Sequence, residues 1–144
     1  QAAISPMTPE LFLQLDDVEI KQIGFSRQKT LYARTLAQSI IAGQLDLSSL
    51  SRMDDEKIRT VLKKLKGIGD WTVDIYLMMA LRRRDSLPKG DLGLILAIQR
   101  VKRLDHRPSA AEIELIAEIW RPWRAVATRL LWHYYLSERQ SPLV

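Results

Sequence analysis

Leu62-Lys63-Lys64-Leu65-Lys66-Gly67-Ile68-Gly69-Asp70-Trp71-Thr72, with Pro88-Lys89-Gly90-Asp91-Leu92-Gly93-Leu94 a short way downstream, carries most of the information in this chain. Before the glycines, Ile58, Val61, Leu62 and Leu65 recur at helical spacing; after them Trp71, Val73, Ile75, Met78, Met79 and Leu81 do the same. Two glycines flanking one isoleucine break the pattern with a tight turn. The expectation is a helix-turn-helix hairpin over 54–84. Asp54-Asp55-Glu56 opens its first helix, and the second runs from about Asp70 to Arg83. That second helix is apolar around most of its circumference, which predicts a central buried position.

The turn has two readings. Without side chains on Gly67 and Gly69, the backbone can approach another molecule, and the unpaired N–H groups of a helix starting near Asp70 favour an anion such as phosphate. A turn chosen only for packing uses the same residues.

Working outward, the rest of the chain also reads as helices. Thr8 before Pro9 is an N-cap with proline in the first turn, and Leu11, Phe12 and Leu15 give a short apolar face. A second short helix spans about Asp17 to Gln22 and stops at Gly24. Ser26 caps a third, with Leu31, Ala33, Leu36, Ala37, Ile40 and Ile41 as its apolar face and Gly43 as its stop. Asp46 to Ser51 reads as a turn. Asp91 starts a helix to about Arg103, Ser109 and Glu112 form a capping box, and Pro122 opens a last helix ending near Glu138. No stretch alternates convincingly as a strand, so the fold class is all-α, a helical bundle.

The 144 residues suit a single domain, and 47% hydrophobic with 27% charged residues is ordinary globular composition that argues against disorder. No apolar run approaches the roughly 20 residues needed to cross a bilayer, and the start lacks the layout of a signal peptide. The expected place is inside the cell: cytoplasmic and nucleoid-associated in a bacterium, nuclear in a eukaryote. Zero cysteines exclude disulfides, a thiolate nucleophile and a four-cysteine iron–sulfur cluster. His106 and His133, the two histidines, leave little material for a metal site. The net charge of +5 is uneven: from Lys63 to Arg107 there are eleven Lys or Arg and five Asp, net +6, against −1 elsewhere. The excess surrounds the turn and Asp91, as a bound polyanion requires.

Gly67-Ile68-Gly69-x-Trp71-Thr72 together with Gly90-Asp91-Leu92-Gly93-Leu94 resembles the helix-hairpin-helix (HhH-GPD) DNA glycosylases, most of all the 3-methyladenine DNA glycosylase II branch. The likeness extends to Ile23-Gly24-Phe25-Ser26-Arg27-Gln28-Lys29 and to Trp120-Arg121-Pro122-Trp123-Arg124, and so spans nearly the whole chain. It implies that amides at Gly67, Ile68 and Gly69 hold a DNA phosphate, that carbonyls of Lys63, Leu65 and Ile68 hold a monovalent cation such as Na or K, and that Asp91 is catalytic. No organic cofactor or catalytic metal is implied. The family carries a further N-terminal helical region with a Gln-Gln motif, part of the base pocket and a wedging side chain. With Gln1 an unusual first residue, the chain reads as the C-terminal portion of the family domain, a fragment whose own activity stays open.

Cleaving an N-glycosidic bond builds positive charge on the sugar as the base leaves, and a fixed carboxylate near C1′ stabilises that charge. Asp91 is the candidate, and it can also orient or deprotonate the attacking water. An aspartate at a helix start is equally a cap. Superfamily members that also cut the strand place a lysine nucleophile at position 71. Trp71 stands there instead, which implies simple hydrolysis with no lyase activity. Its ring either faces an extruded cationic purine or packs in the core. Trp132 matches a family aromatic beside the catalytic aspartate, core packing being the other reading.

Trp120 and Trp123 read as core, and His133 as a partly buried helix residue. Lys63, Lys64 and Lys66 supply salt-sensitive affinity for phosphate, whereas Arg82-Arg83-Arg84, Arg27 and Lys29 suit either phosphate or a solvated helix face. Asp70, negative beside the turn, is unfavourable there unless it caps the helix. The expected function is base-excision repair of double-stranded DNA by a monomeric, monofunctional N-glycosylase that flips out alkylated purines such as 3-methyladenine. A non-catalytic helix-hairpin-helix DNA-binding module would use the same clamp without chemistry, and in a helical protein-interaction domain the basic face would be incidental.

Overall fold

The computed structural model describes residues 7–140, the side chains of residues 139 and 140 excepted; Gln1 lies outside the described residues. Every regular element among them is helical, as expected. They fall into two compact units, divided in sequence between Ile68 and Gly69.

In the first unit, polar caps set the helix starts. Thr8 accepts the Leu11 N–H at the head of α1 (Pro9–Gln14), Asp16 and Glu19 form a capping box on α2 (Asp17–Gln22), and Ser26 caps α3 (Arg27–Ile41). Phe12, Ile20 and Ala37 form the core between these helices, with Leu13, Leu15, Phe25 and Ala33 packed around them. The buried face of α3 is narrower than its sequence pattern. Leu31 and Ile41 are exposed, because the side turned to the core is centred on Ala33 and Ala37. The expected turn from Asp46 to Ser51 contains a one-turn helix, α4 (Leu47–Leu50), capped by Asp46 and anchored by buried Leu50. Asp54 caps α5 (Asp55–Leu62), which buries Ile58 and Leu62.

The second unit begins with α6 (Asp70–Ile75), which continues as a π-helical segment (Tyr76–Ala80) and closes at Leu81. The sequence pattern carried this helix on to Arg83; it stops earlier because Arg82 turns into the left-handed region, at φ 54°. Nor is it buried all round. Val73, Asp74, Leu77 and Met78 are buried, whereas Trp71 and Met79 are half exposed. Then come α7 (Leu92–Val101), α8 (Ala110–Glu118), begun by the Ser109–Glu112 capping box, and α9 (Arg124–Gln140). Leu87, Leu94, Ile98, Ile113 and Ala117 make the core, with Trp120, Leu131 and Trp132 packed against it. Two sequence readings are corrected in this unit. Trp123 is 52% exposed and lies under the Arg84 guanidinium, 5.0 Å from the ring centroid, so it is a cation–π platform rather than core. His133 is exposed, not partly buried.

Candidate active site

The site grows out of the loop before α7. Gly90 adopts φ 72°, the left-handed conformation glycine takes without strain, and the Asp91 N–H donates to the Pro88 carbonyl at 3.3 Å. Asp91 is thereby the N-cap of α7, its Oδ1 accepting the Leu94 N–H at 2.7 Å. The capping reading of Asp91 is correct, and the same carboxylate does more. Trp132 Nε1–H donates to Oδ1 at 2.8 Å, and Trp71 Nε1–H donates to Oδ2 at 2.9 Å. Helices α6, α7 and α9 therefore each bring one donor to a single half-buried carboxylate. A carboxylate offers about four acceptor positions, so Oδ2 keeps one for another partner.

Trp132 is held partly buried against the core of this unit, whereas Trp71 is 49% exposed. Gly93 sits close to the Asp91–Trp132 bond. A Cβ there would lie 3.3 Å from Asp91 Oδ1 and 3.5 Å from Trp132 Cδ1, which gives a packing reason for the second glycine of Gly-Asp-Leu-Gly-Leu. Sequence reasoning gave it no role.

It also missed Asp85. Arg124 at the head of α9 donates to Asp85 through Nε at 2.8 Å and Nη2 at 3.0 Å, and Nη2 reaches the Asp85 carbonyl at 2.9 Å. Arg121 adds a bond at 3.0 Å. Burial alone would raise the Asp85 carboxyl, but the hydrogen bonds and charge of Arg124, with the charge of Arg121, outweigh it and hold the group below the usual carboxylate range. This clamp fixes the start of the helix that delivers Trp132. The clue was Arg124 closing the Trp-x-Pro-Trp-Arg motif.

The glycine turn divides its work. Gly67 has φ 92°, and a Cβ on it would run into the ring of Tyr32, so its missing side chain serves packing within the first unit. Gly69 has extended backbone and, among the described residues, nothing within 4 Å of where its Cβ would be. That is the open side of the turn. The Ile68 N–H already donates to the Leu65 carbonyl at 3.1 Å, and the Val73 N–H to Gly69. That last bond is the first intrahelical one of α6, so the Trp71 and Thr72 N–H groups come before the helix can supply them an acceptor. Asp70 is the first residue of α6 and not its cap, since Gly69 holds the N-cap position without a side-chain bond. Lys63, Lys64 and Lys66 are exposed. Lys89, counted with the basic excess, forms an ion pair with Glu114 at 2.7 Å.

Among the described residues no group of three or more His, Cys, Asp or Glu is placed to hold a metal ion, and no helix is long and apolar enough to cross a membrane.

A half-buried aspartate bound by two indoles, one residue beyond a Pro-x-Gly turn, is a combination that comparison with known proteins can test. Residues 2–122 match the HhH-GPD superfamily of base excision DNA repair proteins. The chain belongs to that superfamily. YfjP of Bacillus subtilis (strain 168), provisionally named a DNA-3-methyladenine glycosylase, is 36% identical over 124 residues, 86% of this chain and 43% of the relative. A DNA-3-methyladenine glycosylase of the same bacterium is 30% identical over 123 residues, 85% of this chain and 41% of the relative. The fission-yeast 3-methyladenine DNA glycosylase Mag1, solved in complex with abasic DNA, superposes with a TM-score of 0.82 at 30% identity, covering 90% of this chain and 65% of that one. The all-helical architecture is therefore the HhH-GPD glycosylase fold. The chain spans about two fifths of the length of the two bacterial relatives.

Proposed function

We propose that this HhH-GPD chain carries the catalytic aspartate of a monofunctional DNA N-glycosylase that removes alkylated purines from double-stranded DNA. The observation that carries the reading is the Asp91 carboxylate, fixed by the Leu94 amide and by Trp132 and Trp71, with one acceptor position left on Oδ2. A binding module has no need of a carboxylate immobilised in this way.

As the C1′–N bond breaks, its electron pair leaves with the base, and a cationic lesion such as 3-methyladenine or 7-methylguanine departs as a neutral purine. Positive charge then resides on the sugar, where Asp91 stabilises it without reorganising. Water adds to C1′, and its proton passes to Asp91 or to solvent. The product is an abasic site in an intact strand, because position 71 supplies an indole and no amine for a Schiff base. The edge of Trp71 is engaged with Asp91, which leaves the exposed ring face for an extruded, electron-poor purine.

The turn Gly67-Ile68-Gly69 serves a DNA phosphate, and Lys63, Lys64 and Lys66 supply charge for the backbone. The carbonyls of Lys63, Leu65 and Ile68 would hold a monovalent cation. They belong to the segment from the C-cap of α5 to Ile68, and the Leu65 carbonyl, though it accepts the Ile68 N–H, keeps a second lone pair. The working unit on DNA is a monomer.

The reading is tested by incubating the full-length protein with methylated duplex DNA and following free base and strand integrity together. Released 3-methyladenine or 7-methylguanine with strands intact until alkali treatment is the expected result. DNA binding without base release would favour the non-catalytic module instead.

A further inference from the structure

Asp74 is fully buried, on the α6 turn that follows Trp71, and the mechanism above does not use it. A buried carboxylate is costly unless its oxygens are hydrogen-bonded, so stability alone would favour an apolar residue in its place. Its Oδ2 accepts the backbone N–H of Lys89 at 3.2 Å, and its carbonyl accepts Ser86 Oγ at 3.3 Å. Ser86, Leu87 and Pro88 are themselves buried, so this irregular stretch runs inside the unit without a helix to pair its backbone groups. Backbone donors in such a stretch need partners, and Asp74 supplies one. Lys89 is two residues before Asp91, and Gly90, at φ 72°, is all that separates them.

We propose that Asp74 is a positioning residue for Asp91: by holding the Lys89 amide it sets the loop that places the Asp91 carboxylate against Trp71 and Trp132. The inference rests on Asp91 being the catalytic group. It adds a buried residue of α6, with no contact to substrate, to those on which the rate depends. What the loop needs is an acceptor oxygen at this position, which distinguishes positioning from a requirement for charge.

The test compares Asp74→Asn, which keeps an acceptor, with Asp74→Ala, which removes it, in the full-length protein. Misplacing a catalytic group by about 1 Å costs on the order of 100-fold in rate, so single-turnover base release should fall about that far in Asp74→Ala while affinity for duplex DNA holds. Asp74→Asn should stay within about threefold of wild type, since the hydrogen bond survives. A second readout is independent of activity. The indole N–H resonances of Trp71 and Trp132 report their bonds to Asp91, and should move in Asp74→Ala and stay in Asp74→Asn. Unmoved Trp71 and Trp132 signals in Asp74→Ala, or an Asp74→Asn rate as low as that of alanine, overturn the proposal. If the wild type releases no base, the glycosylase reading fails while the indole signals still decide the positioning role. Should the alanine variant not fold, Asp74→Asn and hydrogen exchange at the Lys89 amide of the wild type remain. Exchange there as fast as in an open loop overturns the proposal.

Discussion

Replacing Trp132 with phenylalanine keeps an aromatic ring against the core formed by Leu94, Ile98 and Ala117 but deletes the N–H that donates to Asp91 Oδ1 at 2.8 Å. Hydrogen bonds to charged groups contribute about 1.5–3 kcal/mol. With a tenfold rate change per roughly 1.4 kcal/mol, full loss at the transition state slows base release by about 10- to 150-fold. Trp132 is partly buried, so water does not readily take over the vacated position. Trp71→Phe deletes the matching donor to Oδ2 at 2.9 Å from a ring that is 49% exposed, where water can substitute. Its loss should therefore be smaller, below about tenfold. The ring face survives both changes, so duplex affinity should not follow the rate. The assay is single-turnover release from methylated duplex with protein in excess, paired with a binding titration. A Trp132→Phe protein at the wild-type rate, or a Trp71→Phe protein slower than Trp132→Phe, would refute the account of how Asp91 is held.

Gly67→Ala should destabilise the protein by about 3 kcal/mol, combining left-handed backbone with a collision on the Tyr32 ring; a urea midpoint close to wild type would contradict that packing. Changing Lys63, Lys64 and Lys66 together to alanine should flatten the log–log salt dependence of duplex binding by nearly 3, at about 0.9 per phosphate contact, and an unchanged slope removes them from the interface. Ahead of α8, His106 bonds Asp105 at 2.8 Å and Glu112 at 2.9 Å, which raise its pKa above 6.5, while the Ser109 N–H and then His106 lower Glu112 from 4.5 to about 2. The His106 contribution is complete below pH 6.5 and lost as pH rises through the raised value; that of Glu112 is complete above 4.5 and lost as pH falls toward about 2. The protection factor at the start of α8, exchange corrected for its intrinsic pH dependence, should then be highest between pH 4.5 and 6.5, with His106→Ala removing the alkaline limb and weakening the acid one, and a pH-independent protection factor in the wild type would contradict the pairing.

Helix starts were legible because their signals are local: Thr8, Asp16, Ser26, Asp54, Asp91 and Ser109 each cap the helix that follows. The Asp91 motif could be located, and so could Trp71 and Trp132, but not that both indoles donate to the carboxylate. Whether a tryptophan turns its edge to a carboxylate or its face to a core depends on packing that periodicity does not encode. Gly67 and Gly69 look alike in sequence, yet one is closed off by Tyr32 and the other opens outward, a difference fixed by a residue on α3. The π-helical segment from Tyr76 was hidden because an apolar run reads the same at either winding. Asp74 left a trace that went unread: a charged residue in register with Val73, Leu77 and Met78, on the face those residues bury.

The most direct test of the central claim is Asp91→Asn in the full-length protein, measured for duplex binding and for base release side by side. Asparagine preserves the shape and an acceptor for Leu94 or Trp132 while removing the charge that stabilises the sugar cation. The account predicts binding at wild-type strength with release abolished. Release at the wild-type rate would contradict it and return Asp91 to the role of a helix cap.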